Sequence, residues 1–475
     1  MMKLEKLKKN KKRIIPIAIS AFITFILTGI IFYTSFAFYE EKKDFNIING
    51  TVEDPGDIYF AYYVNDVITR DFPNKDSGLT LDKTKSSCNS GVTITWDDNN
   101  WSAILNYSAY TKDSTTRTKC TLYFKEKILD VLTYVKNNAD STSTDVYTVP
   151  DKEGDSCTYT LAYDGTSDNN LRYVGSNPCN YVKIDNEIWR IIGLMNNIDD
   201  GTGKKETRIK LIRNEAIGTY SWDSSESSVN GSFGVNEWSQ ADLMKLLNPG
   251  YESESVGGSL YYNNSSGNCY YAEKNATKAC DFTTTGIKAN LKNLVGNTLW
   301  NTGSNGTNRS DSASNGLTSH FYSYERSSNN GKICTSGTYC TDTVKRTTTW
   351  NGKIGLMYPS DYGYATSGGS TSNRTSCLGK ELSNWNSSSF SDCKNNDWLY
   401  NSSNWQWTIS PVADSSGAIA VFVISNEGHV SSNLASIVNG VFADNQSAVR
   451  PSVYLIPSTS ILGGEGTLEN PYQIG

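Results

Sequence analysis

The segment Ile14 to Tyr39 reads IIPIAISAFITFILTGIIFYTSFAFY and contains no charged residue. It is longer than the roughly 20 apolar residues a helix needs to cross a bilayer. Before it stand Lys3, Lys6, Lys8, Lys9, Lys11, Lys12 and Arg13 against the single acid Glu5, a bias that keeps the preceding end in the cytoplasm. The expected layout is a basic cytoplasmic tail over 1–13, a transmembrane helix over 14–39, and a body outside the cytoplasm at the cell surface. The rival is a cleaved signal peptide, whose apolar region is typically about 7 to 15 residues and ends at a small-x-small site. The nearest such site, Ser35-Phe36-Ala37, follows a longer run. Both readings export the body. A buried core helix would leave the lysine cluster without a role.

An exported body permits disulfides. The ten cysteines, at 88, 120, 157, 179, 269, 280, 334, 340, 377 and 393, all follow the apolar segment and fall into neighbouring couples. Sequential pairing is expected: Cys88 with Cys120, Cys157 with Cys179, Cys269 with Cys280, Cys334 with Cys340, and Cys377 with Cys393. Bridges over loops of such length stabilise by about 2 to 4 kcal/mol each. A zinc site needs clustered Cys and His. No Cys-x-x-Cys occurs and the histidines are His320 and His429 alone, so neither metal nor cofactor is expected.

The formal charge is −6 over the whole chain, and the part after the basic tail is more acidic still. A nucleic-acid partner is disfavoured, because binders of phosphate backbones concentrate Lys and Arg on their surface. The body is rich in Asn, Ser, Thr, Gly and Tyr, the composition of a loop-rich extracellular β-protein. The fold class expected is therefore mainly β with few helices (α+β).

Residues 40–55 form a polar stalk. From 56 to 125, IYFAYYVN, GVTITW, SAILNYSAY and KCTLYF are rich in β-branched and aromatic residues between polar clusters, the pattern of short sandwich strands. Cys88, Trp96 and Cys120 follow the order of immunoglobulin-like domains at a shorter spacing, so an immunoglobulin-like sandwich is expected, against any small bridged β-domain. Residues 126–146 make a connector helix and linker, with Ile128, Leu129, Leu132 and Val135 on one face. A larger domain spans 147–475. It has two expected helices, Trp238 to Leu247 with a Ser239/Asp242 capping box and Gly286 to Val295, and strands at NYVKIDNEIWRIIGL, TRIKLIRN, NGKIGLMYP, WQWTIS, AIAVFVIS and AVRPSVYLIP. Asn426-Glu427-Gly428 is a hairpin turn. Regions 252–286, 301–345 and 366–396 read as polar loops, each stapled by a cysteine couple.

The motifs NEIWRIIGL (186–194), RIKLIRN (208–214), NEWSQADLMKLLN (236–248), GKIGLMYPSDYGYAT (352–366), WTISP (407–411) and VRPSVYL (449–455) resemble an uncharacterised family of extracellular domains from Gram-positive bacteria. The resemblance covers most of 147–475. It implies a C-type-lectin-like fold, with the chain returning in a final strand beside the first. Relatives with that fold bind carbohydrate or protein, and one branch oxidises cysteine to formylglycine, so fold alone decides nothing. Glu-Pro-Asn, Gln-Pro-Asp and Trp-Asn-Asp, the sugar motifs of calcium-dependent lectins, are absent. The formylglycine branch needs a reactive cysteine pair, whereas each cysteine here has a nearby partner.

No Gly-x-Ser-x-Gly, His-Glu-x-x-His or phosphate-binding glycine loop occurs, so no catalytic residue is assigned and no enzyme is expected. Asp164 with Asp168, and Asp199 with Asp200, have calcium-ligand chemistry but sit in Asp-Gly turns that need no ion. The aromatic surplus offers ligand-binding candidates: Trp405 and Trp407 on one strand face, and Tyr358, Tyr362 and Tyr364 with Asp361 in a PSDYGYA turn. Exposed Trp and Tyr stack on sugars or form hot spots. Their alternative is burial in the core, which is also the reading for Trp189 and Trp222. The function expected is a membrane-anchored surface binding or adhesion protein whose ligand is a glycan or a host or envelope protein. An envelope enzyme and a structural scaffold are the alternatives. A concave pocket with converging Asp, Arg and Tyr would favour the enzyme, and an exposed flat aromatic patch would favour binding.

Overall fold

A computed structural model describes residues 58–75, 77–97, 100–106, 108–109, 118–126, 128, 130–153, 156–223, 236–253, 258–271, 273–302, 316–326, 347–412, 420–434 and 447–475. The apolar segment 14–39, the stalk 40–55 and the Cys334–Cys340 couple lie outside these. Among the described residues no helix is long and apolar enough to cross a membrane. The chain divides into two compact units, up to Lys127 and from Ile128 onward, and both are mainly β.

In the smaller unit, the strand Ile58–Val64 runs parallel to Thr118–Glu126, and Val67–Thr69, Leu79–Leu81 and Ser87–Cys88 complete that sheet. A separate hairpin, Thr93–Asp97 with Ser102–Asn106, supplies Trp96 and Ala103 to a core shared with Leu81, Leu122 and Phe124. Cys88 and Cys120 are direct cross-strand partners within one sheet. The bridge of immunoglobulin domains joins two sheets instead, so the Cys, Trp, Cys order here has a different structural meaning.

The expected connector belongs to the larger unit. Its helix covers only Val131–Asn138, because Lys125 and Glu126 are drawn into pairing with Thr80 and Leu79. Asp130 caps it, accepting from the Thr133 amide at 3.1 Å. Val131, Leu132 and Val135 pack into the large core.

The main sheet of that unit runs in the order Ile354–Gly355, Ser452–Tyr454, Lys205–Arg213, Glu187–Asp199, Leu171–Tyr173, Thr158–Tyr163, Tyr147–Glu153, with Tyr181–Ile184 also paired to Glu187–Asp199. A second sheet holds Thr219–Tyr220, Ser447–Ala448, Gln406–Pro411, Ala420–Ile424 and Val430–Leu434. Each strand predicted from apolar runs is present. Pro451 stands just before Ser452–Tyr454, where no ladder donor is needed. The return of the chain differs from expectation, since Ser452–Tyr454 lies beside Lys205–Arg213 and not beside the first strand. Asn426 to Gly428 does close the predicted hairpin, with Gly428 at φ 83°.

Other local expectations give way to packing. The helix predicted from Trp238 splits into a 3-10 turn Trp238–Gln240 and an α-helix Asp242–Leu247. Ser239 bonds Glu237 and caps nothing, and the Leu243 amide is taken by the Trp222 carbonyl. The helix predicted from Gly286 spans Ala289–Leu294. The stretch read as a PSDYGYA turn is a helix, Pro359–Ala365, and the region 301–345, read as a polar loop, carries another, Thr318–Arg326. Cys157–Cys179, Cys269–Cys280 and Cys377–Cys393 are bridged as expected. The last two are not loop staples: Cys269–Cys280 ties a β-hairpin, and Cys377–Cys393 joins two short helices.

Candidate functional site

Arg172 sits on a short strand between Ala162 and Gly193. The close approach there requires glycine, since a Cβ on Gly193 would lie 2.2 Å from the Leu171 carbonyl oxygen. The Arg172 side chain is almost completely buried. Its Nε donates to Asp164 Oδ2 and its Nη1 to Asp361 Oδ1, both at 2.9 Å. Asp361 is the third residue of its helix and accepts through Oδ2 from the Tyr358 amide at 2.9 Å, half of a capping box. The same oxygen accepts from Lys210 Nζ at 2.5 Å, and Lys210 is 0 % exposed. Four charges thus alternate in one buried chain: Asp164, Arg172, Asp361, Lys210.

Aromatic rings enclose this chain. Lys210 Nζ lies 4.3 Å from the Tyr358 ring centroid, 5.1 Å from Tyr454 and 5.5 Å from Trp300, and the Arg172 guanidinium lies 5.0 Å from Tyr364. Burial opposes ionisation of Asp361, but Lys210 and Arg172 outweigh it and hold the carboxyl down to about 2. Beside it, Glu325 accepts from the Ser360 amide at 3.1 Å and from the Ser360 hydroxyl. Burial, reinforced by the Asp361 charge, pushes Glu325 up to about 7.

Tyr358 and Tyr454, backing onto Lys210, also line a cleft with a volume of about 330 Å³. Asp168, Asn197, Asp199, Lys205, Asn301 and Arg326 supply its polar atoms. Asp168 accepts from the Tyr322 hydroxyl at 2.5 Å and from Asn197 Nδ2 at 2.8 Å, and Arg326 Nε lies 3.5 Å away. Asp199 is held by the Gly201 and Gly203 amides and by Lys205 Nζ at 2.9 Å. The cleft can receive a small polar molecule, offering guanidinium, amide and carboxylate groups over a floor of phenol rings.

The sequence-derived candidates separate. Tyr358, Asp361 and Tyr364 join the buried charge cluster, and Tyr358 also faces the cleft. Tyr362 is fully buried elsewhere, donating to the Gly428 carbonyl at 2.8 Å and packing on Trp385. Trp407 is 1 % exposed and donates to the Tyr220 carbonyl, whereas Trp405 is 37 % exposed and precedes the strand. Surface stacking is corrected to core packing for Tyr358, Tyr362, Tyr364 and Trp407, because the two sheets and the Pro359–Ala365 helix need those rings for their interior. Trp189 and Trp222 are core, as read. Asp164, weighed as a calcium ligand, is an ion-pair partner, and no group of residues suited to a metal ion occurs among the described residues. His320 lies on the Thr318–Arg326 helix, and His429 Nδ1 bonds Ser425 Oγ at 2.8 Å at the hairpin end.

Glu325, Arg326, Arg172 and Lys210 were not found from sequence. A signal existed for the first two: Thr318, Phe321, Tyr322 and Glu325 are buried at helical spacing. Two of the four are polar, which hid the stripe from an apolar-periodicity search. Compared with family models, curated proteins and solved structures, the chain matches none.

Proposed function

We propose that this is a membrane-anchored surface protein whose larger, C-type-lectin-like unit holds a small polar ligand in the Asp168–Arg326 cleft. The smaller β-unit lies between the anchor and that head in chain order. The apolar segment 14–39 with its basic flank supports anchoring, and the bridged cysteines support an oxidising compartment. The observation that carries the binding reading is the cleft itself: a concavity with a few convergent polar groups on an apolar floor, the usual form of a small-molecule site. Its ligand is a glycan terminus or a side chain of a host or envelope protein.

The convergence of Asp168, Arg326 and Tyr358 favours a second reading, an envelope enzyme. Against it, Asp168 is already engaged by Tyr322 and Asn197, and Lys205, the amine of the cleft, is tied to Asp199 at 2.9 Å. A glycan and mucin array probed with the fragment beginning at Glu41, with product analysis of every bound glycan, separates the two. Bound, unaltered ligand supports the binding head. Cleaved or modified ligand supports the enzyme, and an empty array removes the glycan-binding reading.

A further inference from the structure

Arg326 differs from the other cation of the cleft. Lys205 is engaged by Asp199 at 2.9 Å, whereas Arg326 approaches its carboxylate, Asp168, only to 3.5 Å through Nε. That separation is outside ordinary N–H to oxygen hydrogen-bond distance. The phenols of Tyr322, Tyr358 and Tyr454 stand around its guanidinium, and Asp168 is the one carboxylate within 4 Å of it among the described residues. A guanidinium carries five donors in one plane, and this one is only 20 % exposed, so water satisfies them poorly. Its position is also held: the Tyr322 ring lies 4.8 Å away and the Tyr358 ring 5.6 Å away. A guanidinium held beside two rings at the wall of a cleft is the donor geometry for an anion with two coplanar oxygens.

The surroundings narrow the anion. Asp168 and Asp199 also line the cleft, so a phosphate carrying close to two negative charges would meet carboxylates on its outer oxygens. A carboxylate carries one charge and presents both oxygens in a plane. The remaining groups, Asn197, Asn301 and the carboxylate of Asp168, are partners for hydroxyls. A volume of about 330 Å³ stands at the lower end of ligand pockets, which run from about 300 to 1,000 Å³, and it suits a single ring.

Resting on the binding reading above, we infer that the cleft takes a carboxylate-bearing hydroxylated ring, an acidic monosaccharide or its terminal residue, with Arg326 Nη1 and Nη2 on the carboxylate and Asp168 and Asn301 on ring hydroxyls. Arg326 is then the residue that selects acidic over neutral sugars.

The test titrates the full chain in detergent with methyl glucuronide, methyl glucoside and inorganic phosphate by saturation-transfer NMR. Glucuronide is expected to bind at least about tenfold more tightly than glucoside, the difference expected for one bidentate charged contact. Arg326→Met should abolish the preference. Arg326→Lys should restore only part, since an ammonium lacks the fork. Asn301→Ala, at another residue of the lining, should weaken both sugars and leave their ratio intact, which also guards against a misfolded Arg326 variant. Equal binding of the two sugars overturns the acid selection while leaving the cleft as a binding site. Phosphate binding without glucuronide overturns the carboxylate assignment. A bound glucuronide whose affinity Arg326→Met and Asn301→Ala leave untouched overturns both this inference and the cleft reading.

Discussion

Lys210 Nζ meets Asp361 Oδ2 at 2.5 Å with 0 % and 2 % of the two side chains exposed, and the other oxygen of that carboxylate is held by Arg172. One helix-capping acid therefore neutralises cations from two strands of the main sheet. Removing it leaves two buried positive charges with Asp164 as their one remaining ion-pair partner among the described residues. Asp361→Ala should cost about 3 to 5 kcal/mol or prevent folding of the larger unit, as for other broken buried pairs. Lys210→Met, which leaves Asp361 its Arg172 partner and keeps an apolar group among Trp300, Tyr358 and Tyr454, should cost clearly less. Denaturant midpoints measure both, and equal losses would contradict the hierarchy.

Glu325 gives the unit a pH dependence. Its carboxyl titrates near 4.5 when unfolded and at about 7 in the fold, so between those values the folded state holds the extra proton. Stability from this group is complete below about pH 4.5 and is lost as pH rises to about 7, by at most about 3 kcal/mol. Glu325→Gln keeps partners for Ser360 without a charge to repel Asp361. The variant should gain on wild type as pH rises from 5 to 8 in thermal melts. Parallel melting curves across that range would remove Glu325 as the cause.

Gly193 tests whether strand spacing positions Arg172. Gly193→Ala would place a Cβ 2.2 Å from the Leu171 carbonyl oxygen, where backbone faces backbone and neither side yields without opening the ladder. The expected loss is about 1 to 3 kcal/mol, as for other overpacked sites. Amide exchange should accelerate at Leu171 to Tyr173. A neutral substitution with unchanged exchange would show that the pairing is looser than drawn.

Non-reducing peptide mapping should return Cys88–Cys120, Cys157–Cys179, Cys269–Cys280 and Cys377–Cys393. Converting both Cys157 and Cys179 to Ser should lower the stability of the larger unit by about 3 kcal/mol, and a fragment pattern crossing these couples would refute the pairing.

What can be read without coordinates depends on how local its cause is. The strand at NEIWRIIGL, the hairpin at Asn426 to Gly428, the core role of Trp189 and the neighbouring disulfides follow from apolar runs, a turn glycine and chain proximity. Helix Thr318–Arg326 was missed because Thr318 and Glu325 occupy half of its buried stripe. PSDYGYA reads as a turn on propensity, and it becomes helical where Pro359 starts it, Asp361 caps it and Tyr362 and Tyr364 are drawn inward.

The sequence alone thus determined the mainly β class, four of the cysteine pairings and most strand positions, since each follows from residues close together in the chain. Only the tertiary structure decided the site. Asp164 and Asp361, or Asp168 and Arg326, are separated by long stretches of chain, and in a sequence each is one polar residue among many. Their roles arise when the sheet and two short helices exclude water around them, so that each charge must find its partner.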